Sequence, residues 1–360
     1  MKWNCYRIGD VFSRFSSGKN ITESRISDND SFPVYGGNGV RGFTDSYNFE
    51  GECILIGRQG AKCGNVRYFK GKAYMSDHAI VGVSKSEHCA RFLHVALSCL
   101  QLNRLSGQAA QPGLSVNMLK RQKLLLPTLS TQEKISTILS AYDDLIENNN
   151  KRIKILEQMA VNLYKEWFVR FRFPGYEQAE FENGIPKGWE IKKIKDCIKR
   201  LPYNRLYKAS ELKSEGKVIV IDQSTAEYLG FHDNEPSHSA SYDLPIILFG
   251  DHSCKFKLMC SNFSLGENVI PFTVLHQEKD NTYFLYYAVH KLITTEEYKR
   301  HWNRLVNMKI LKPSQCLQNK FAEFIIFMQK QKQSLFIQNQ NLTRQRDLLL
   351  PRLMSGKLEV

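Results

Sequence analysis

The sequence predicts an α+β protein: two mixed α/β domains in a pseudo-twofold repeat, separated by two long antiparallel coiled-coil helices. Three observations predict it. The chain repeats itself at a distance of 186 residues: Trp3 is answered by Trp189, Ile8 by Ile194 and Asp10 by Asp196. Much further along, the register still holds. Lys123-Leu124-Leu125-Leu126-Pro127 is answered by Lys309-Ile310-Leu311-Lys312-Pro313, and Gln132 and Lys134 by Gln318 and Lys320. Such a repeat is too long for a solenoid unit and has the length of a domain plus a helix. The second observation is a change of period within each copy, from short apolar runs to a sustained heptad. The third is length: 360 residues can bury two cores. The expected boundaries are 1–129 for the first domain, 130–172 for the central helix, 173–312 for the second domain, and 313–360 for the C-terminal helix and tail.

Within the first domain, the apolar runs at 53–56 and 79–83 are short and bounded by Gly and polar residues, which favours strands. Turn clusters lie at 35–39 and 57–65. Residues 91–105 are expected to be helical, with Phe92, Leu93, Ala96 and Leu100 on one face. Ser130 followed by Glu133 has the form of a capping box. From there Ile135, Tyr142, Asn149, Leu156 and Leu163 recur every seven residues, and Leu139, Ile146, Ile153, Ala160 and Trp167 form a second row. That alternation is a coiled-coil seam. The helix should end near Arg172, before Pro174-Gly175, as a rod of about 60 Å for roughly 40 residues.

Residues 184–189 restart the cycle. Strands are expected at 218–221, 245–249 and 269–274, and a helix at 283–292. The second long helix opens after Pro313 and runs through Phe321, Ile325, Met328, Leu335, Leu342 and Leu349 to Pro351. Its seam carries Lys332, Asn339 and Arg346, so it needs a partner, and the first helix is the obvious one. Asn149 and Asn339 then either fix the register of the pair or face solvent.

Composition narrows the function. The formal net charge is +14, which points toward a polyanion. Residues 1–130 carry +8 of it and the remaining 230 carry +6, so the basic character is spread over the chain. No apolar run of about 18 residues exists, so no membrane span is expected, and residues 1–7 lack a signal-like stretch. Nine cysteines without a Cys-x-x-Cys pair argue against a zinc site or a disulfide framework, and for a reducing cytoplasm. No Gly-x-Gly-x-x-Gly or Gly-x-x-x-x-Gly-Lys-Ser/Thr phosphate loop is expected, and there is no Asn/Asp-Pro-Pro-Tyr/Phe tetrapeptide and no His-x-x-x-His spacing for a metal. Glu215-Gly216-Lys217 echoes a nuclease Glu-x-Lys without an acidic residue suitably placed before it. The chain therefore reads as a recognition protein without chemistry of its own.

These residues match a known pattern. Lys123-Leu124-Leu125-Leu126-Pro127 leads to Gln132-Glu133-Lys134-Ile135. The first helix contains Leu145-Ile146-Glu147-Asn148-Asn149-Asn150-Lys151-Arg152-Ile153. The chain ends on Arg346-Asp347-Leu348-Leu349-Leu350-Pro351-Arg352-Leu353-Met354-Ser355-Gly356-Lys357-Leu358. Across essentially its whole length the sequence resembles the DNA-specificity subunit of type I restriction–modification enzymes. The resemblance implies two target-recognition domains, each reading one part of a split sequence in double-stranded DNA. It implies helices that pack antiparallel as a spacer and docking surface, with the number of unread base pairs following from their length and register. It implies two modification (methyltransferase) subunits, which bring S-adenosylmethionine and methylate adenine N6, and restriction subunits that use ATP and Mg2+. No cofactor is then expected on this chain. Two other readings are a stand-alone sequence-specific DNA-binding protein, and a DNA methyltransferase or nuclease with an unfamiliar active site.

Lys and Arg would neutralise phosphates, while base reading needs paired donors and acceptors, Arg for guanine and Asn or Gln for adenine. In the first domain Tyr35, Asn38, Arg41, Arg58, Gln59, Lys62, Asn65 and Arg67 are the candidates, on loops whose glycines would let backbone approach DNA. His78 is a structural histidine or a site residue. In the second domain the candidates are Gln223, Ser224, His252, Lys255 and Lys257. The segment matching 56–64 is 249–257, which has lost the glycine-rich character, so an asymmetric target is expected.

Overall fold

The computed structural model describes residues 3–60, 62–106, 113–290, 292–293 and 299–360. Ala61, in the glycine-rich turn, and Lys291, in the helix expected at 283–292, lie outside them. The chain divides into two compact units, Met1–Asn149 with Gln338–Val360, and Asn150–Ile337. Each long helix therefore contributes to both units.

The first unit runs β1 (Asn4–Arg7), β2 (Phe12–Ser17), β3 (Phe32–Gly36), β4 (Gly39–Thr44), β5 (Phe49–Gly57), β6 (Val66–Met75), β7 (Ala79–Ser84), α1 (Ala90–Cys99), α2 (Val116–Lys120), β8 (Lys123–Leu126) and the start of α3 (Leu129–Tyr164). Its main sheet has the order β2-β7-β5-β6-β3-β4. β5 is buried on both faces because its side chains alternate. Ile54 and Ile56 join the core under α1, with Phe92, Leu93 and Leu97. Cys53 and Leu55 join Phe49, Met75 and Val81 on the other side. The helix expected at 91–105 is shorter than the sequence suggested. α1 stops at Cys99, Gln101 adopts a left-handed φ of 49°, and Leu102–Leu105 is a separate 3-10 turn. Leu100, expected on the apolar face, is exposed.

The second unit continues with β9 (Phe181–Glu182), β10 (Ile185–Pro186), β11 (Glu190–Lys193), β12 (Ile198–Arg200), β13 (Val218–Ile221), β14 (Gly230–His232), β15 (Ile246–Gly250), β16 (Phe256–Met259), β17 (Phe263–Leu265), β18 (Val269–Val274), α4 (Thr282–Val289), α5 (Trp302–Asn307), β19 (Lys309–Lys312) and α6 (Gln315–Met354). The sequence repeat is a repeat of register. β1 pairs antiparallel with β8, Cys5 opposite Leu125; β11 pairs with β19, Ile191 opposite Leu311. The Ile8 N–H donates to the Gln122 carbonyl at 2.8 Å, and the Ile194 N–H to the Met308 carbonyl at 2.9 Å. The sheet β12-β18-β15-β16 reproduces β2-β7-β5-β6. The copies part company beyond that. The first unit adds the β3–β4 hairpin to the edge of β6, whereas the second builds a separate sheet, β14-β13-β17.

The seam positions of α3 and α6 are buried or half-buried in each unit. Their polar members have partners. In the first unit Asn149 Nδ2 donates to Asn339 Oδ1 at 2.9 Å, and Arg346 donates to Asp143 at 2.6 Å. In the second, Lys332 donates to Glu157 at 2.6 Å. Partners descend along α6 as they ascend along α3, so the helices run antiparallel within each unit. Asn149 is only 7% exposed, which decides the choice left open by the sequence in favour of a register pin. Asn149→Ala is expected to destabilise the first unit by about 1–3 kcal/mol, because a buried amide loses its partner. The double change to Leu at 149 and 339 should instead restore or exceed the original stability. Urea unfolding of the three proteins checks this; equal stability throughout would remove the pin.

The helix ends differ from expectation. α3 starts at Leu129, and the Gln132 N–H donates to the Thr128 carbonyl at 2.9 Å, so Ser130 lies inside the first turn and is not the cap. The α-helical part ends at Tyr164, and a π turn at Lys165–Val169 follows, which seats Trp167 and Phe168 in the second core. α6 continues through Pro351 to Met354. The missing proline N–H removes one helical hydrogen bond, but Leu353 is fully buried in the first core and holds the last turn.

Candidate nucleic-acid interface

Two turns of the first unit, twenty residues apart in sequence, meet in space. Gly37 and Asn38 form the two-residue tip of the β3–β4 hairpin, between paired Gly36 and Gly39. Residues 58–65 connect β5 to β6, closed by the Gly57 N–H on the Asn65 carbonyl and the Gly64 N–H on the Gly57 carbonyl, each at 2.8 Å. A Cβ at Gly37 would lie 3.0 Å from the Gln59 carbonyl oxygen, and one at Gly57 would lie 2.6 Å from those of Gly37 and Lys62. At Gly64 it would reach 2.3 Å from the Asn103 nitrogen. These three glycines therefore let turns pack on one another, which corrects the expectation that they serve approach to DNA. Gly60, at φ +83° with nothing within 4 Å, is open to that role. Gly37-Asn38-Gly39-Val40-Arg41-Gly42 does have the letter spacing of a dinucleotide fingerprint, which corrects the expectation that no such spacing occurs. It is a strand–turn–strand hairpin, so no helix N-terminus stands ready for a pyrophosphate.

Around this junction the structure gathers most of the first-domain candidates. Arg67, on β6, donates to the Asn38 carbonyl at 3.4 Å. Tyr35 packs its ring edge-on against Phe69 at 5.0 Å, and burial pushes its phenol up, so it stays a hydrogen-bond donor. His78 Nδ1 lies 3.0 Å from Gln59 Oε1, and the His78 carbonyl accepts the Arg58 N–H at 3.0 Å. His78 thus braces the turn and orients Gln59. The Arg58 guanidinium reaches the Asp77 carbonyl at 3.5 Å. Asn65 is half-buried, and its carbonyl closes the turn. Asn38, Arg41, Gln59, Lys62 and Arg67 are exposed. Arg41, Arg58, Lys62 and Arg67 form no ion pair with a described acidic residue. Four uncompensated cations around a polar tip can hold an anionic backbone and present forked donors to base edges.

The second unit repeats the construction with different chemistry. Its β13–β14 hairpin has a longer tip, residues 222–229, and its β15–β16 loop is shorter, residues 251–255. Tip and loop again meet at a glycine: a Cβ at Gly250 would lie 2.9 Å from Gln223 Cβ. Gln223 Oε1 accepts the His252 N–H at 3.1 Å, and the Gln223 carbonyl accepts the Ser253 hydroxyl at 2.8 Å. Ser224 donates to Asp222 at 2.6 Å. Lys257 pairs across the sheet with Leu248 as Arg67 does with Leu55. Its ammonium donates to the Ala226 carbonyl at 2.6 Å, and burial pulls its pKa down. So Gln223, Ser224 and Lys257 brace their own loops, and Lys257 is more buried than the exposed Arg67 that holds the matching place in the first unit. The reason is local: a short loop poor in glycine is held by side chains. His252 and Lys255 remain half-buried on the same loop.

The position matching Arg58 is Asp251, which the sequence reading did not single out. It is 8% exposed, and its carboxylate accepts the N–H groups of His301 at 3.0 Å and Trp302 at 2.9 Å, anchoring α5. Also unforeseen is an open pocket lined by Ile191, Lys192, Lys193, Lys195, Asp196 and Lys309. The matching residues of the first unit are Cys5, Tyr6, Arg7, Gly9, Asp10 and Lys123, so this surface is more basic in the second copy. Runs of lysine at adjacent positions were its sequence signal. Among the described residues, no helix is long and apolar enough to cross a membrane.

Comparison with known proteins fits this geometry. Residues 1–158 match the family model for the type I restriction modification DNA specificity domain. The type I restriction enzyme EcoprrI specificity subunit of Escherichia coli is 37% identical over 147 residues, 41% of this chain and 36% of that one. The MjaIX specificity subunit of Methanocaldococcus jannaschii is 30% identical over 302 residues, 72% of this chain and 66% of that one. The matched stretches thus span 36% and 66% of the length of these curated relatives. The crystal structure of a type I restriction-modification system S subunit from M. genitalium shares the fold, with a TM-score of 0.67 at 16% identity, covering 98% of this chain and 96% of that one. By its sequence relatives, its matched domain and its fold, the chain belongs to the family of type I restriction–modification DNA-specificity subunits.

Proposed function

We propose that this chain is the non-catalytic DNA sequence-specificity subunit of a type I restriction–modification complex, reading an asymmetric bipartite target through its two recognition domains. One observation carries the proposal. The same four-stranded framework presents the same two-loop junction in each unit, with different side chains at matching positions: half-buried Arg58 against buried Asp251, and exposed Arg67 against half-buried Lys257. Identical placement with different side chains suits two different half-sites on one duplex. The basic charge of the whole chain supports sequence-independent phosphate attraction.

The partners follow from the same reading: double-stranded DNA, two modification subunits and the restriction subunits, with S-adenosylmethionine, ATP and Mg2+ held by those subunits, in the cytoplasm. Docking on the helices has a physical basis in the second unit. Ile155, Met159, Phe324 and Phe327 are 48–62% exposed. Each stands one residue before a seam position, so each lies on the same flank of its helix. In an antiparallel pair those flanks come to one side, which makes an apolar stripe of the kind that subunits cover. Methylome sequencing of cells expressing the chain with its modification subunit tests the proposal. The expected result is adenine methylation at an asymmetric split motif. A palindromic motif would refute the asymmetry, and methylation or cleavage by the purified chain alone would refute the non-catalytic assignment.

A further inference from the structure

One landmark of the repeat has a structural role that neither base reading nor subunit docking explains. Gln132 and Gln318 are 1% and 0% exposed. In the first unit, Gln132 Oε1 accepts the Cys89 N–H at 3.0 Å, and Gln132 Nε2 donates to the Pro127 carbonyl at 2.9 Å and lies 3.3 Å from His88 Nδ1. In the second, Gln318 Oε1 accepts the Asn281 N–H at 2.9 Å, and Gln318 Nε2 donates to the Pro313 carbonyl at 3.0 Å. Cys89 and Asn281 are the N-cap residues of α1 and α4, the helices that lie on each main sheet. Pro127 and Pro313 directly follow β8 and β19, just before the long helices. One side-chain amide thus ties three elements together: the sheet helix, the end strand and the first turn of the long helix.

The chemistry explains the residue type. The joint needs an acceptor and a donor about two ångströms apart on one rigid plane, and a glutamine amide supplies them. A carboxylate in that place would face the proline carbonyl with no proton to donate. Neighbours reinforce each joint separately. Cys89 Sγ lies 3.3 Å from Ser136 Oγ of α3, and Asn281 Nδ2 donates to Asn319 of α6 at 3.0 Å. The second unit adds an ion pair between Lys312 and Asp280 at 2.5 Å, with side chains 15% and 9% exposed. The two joints use different reinforcements around the same glutamine, which singles out the glutamine as the shared requirement.

We propose that Gln132 and Gln318 are positioning residues that fix the angle at which each main sheet is carried on its long helix, and so decide which bases its loops reach. The inference rests on the DNA-reading proposal above, and its test separates the two. The full chain, assembled with its modification subunits, is compared with Q132M and Q318M. Affinity is measured for the cognate duplex and for duplexes with either half-site scrambled. Q132M is expected to lower discrimination at one half-site tenfold or more and leave the other intact, with Q318M doing the reverse. Retained discrimination in both Met variants, or equal loss at both half-sites from one variant, would overturn positioning. Hydrogen exchange at Cys89 and Asn281, read without DNA, tests the joint itself. Exchange there should quicken only in the unit that was changed, and unaltered exchange overturns the joint whatever the DNA result. A wild-type complex that shows no discrimination, while exchange behaves as expected, would count against DNA reading and leave the joint standing.

Discussion

Gly57→Ala is expected to abolish reading of one half-site while leaving the other half-site and salt-dependent non-specific binding in place. The new Cβ would lie 2.6 Å from two carbonyl oxygens, those of Gly37 and Lys62. Both are backbone atoms, so neither can swing aside as a flexible side chain would. The hairpin tip and the β5–β6 turn must separate, and the groups they hold together, Asn38, Arg58, Gln59 and Arg67, lose their common geometry. Each bidentate base contact contributes about 1–3 kcal/mol of discrimination. Losing two of them corresponds to roughly a thirtyfold to ten-thousandfold change at about 1.4 kcal/mol per tenfold. The cations remain on the surface, so the salt slope should hold. Titration of the assembled complex against cognate and half-scrambled duplexes, at several salt concentrations, reads both quantities. Gly51→Ala, on β5 away from the two turns, is the control. Gly51 has a positive φ of 121° but meets nothing within 4 Å, so only a local strain of about 1–3 kcal/mol is expected. If Gly57→Ala leaves discrimination unchanged, the junction of the two turns is not the reading surface.

What was legible in the sequence follows the range of the forces involved. The heptad is a local period, and every seam residue it marked is buried or half-buried. The repeat was legible because β1–β8 and β11–β19 have the same register to the residue. The helix ends were harder. Leu353 holds the turn beyond Pro351 through a core contact with distant residues, and the π turn before Arg170 exists to seat Trp167 and Phe168. No local rule encodes either. The turns at 35–39 and 57–65 were each recognisable from glycine and polar residues. Their meeting was not, because it depends on the parallel pairing of β3 with β6, Tyr35 opposite Met75. Likewise Gln132 and Gln318 stood out as repeated letters, but their bonds to Cys89 and Asn281 span 43 and 37 residues. Aligning 56–64 with 249–257 sets Lys257 opposite Gly64, whereas the strand register sets it opposite Arg67, and only the fold shows that its ammonium is held by the Ala226 carbonyl.

Phe321→Ala should produce the largest loss of stability, confined chiefly to the second unit. Phe321 is fully buried at the start of α6. Its ring lies 5.1 Å from Phe168, 5.6 Å from Tyr287, 6.0 Å from Trp167 and 6.2 Å from Tyr164, centre to centre. The four rings come from the end of α3, the π turn that follows it and α4, so one α6 side chain joins three other segments of the same core. The surroundings are dry: burial pushes the Tyr164 phenol up to about 12. Truncating a buried phenylalanine costs about 3–5 kcal/mol, in lost transfer energy and in the cavity left behind. Edge-on aromatic contacts contribute about 0.5–1.5 kcal/mol more per pair. For a unit of this size each kcal/mol lowers Tm by roughly 2–4 °C, so calorimetry should show the second unit melting about 6–20 °C lower. Phe327, six residues further along the same helix, is 62% exposed, and Phe327→Ala should change stability by no more than about 0.5 kcal/mol. The pair of variants separates two roles for aromatic residues on one helix, since the first holds the fold and the second lies on the stripe assigned to docking. Equal melting shifts from both would mean that the exposed stripe belongs to the second unit's core after all, and would remove the argument for subunit docking there.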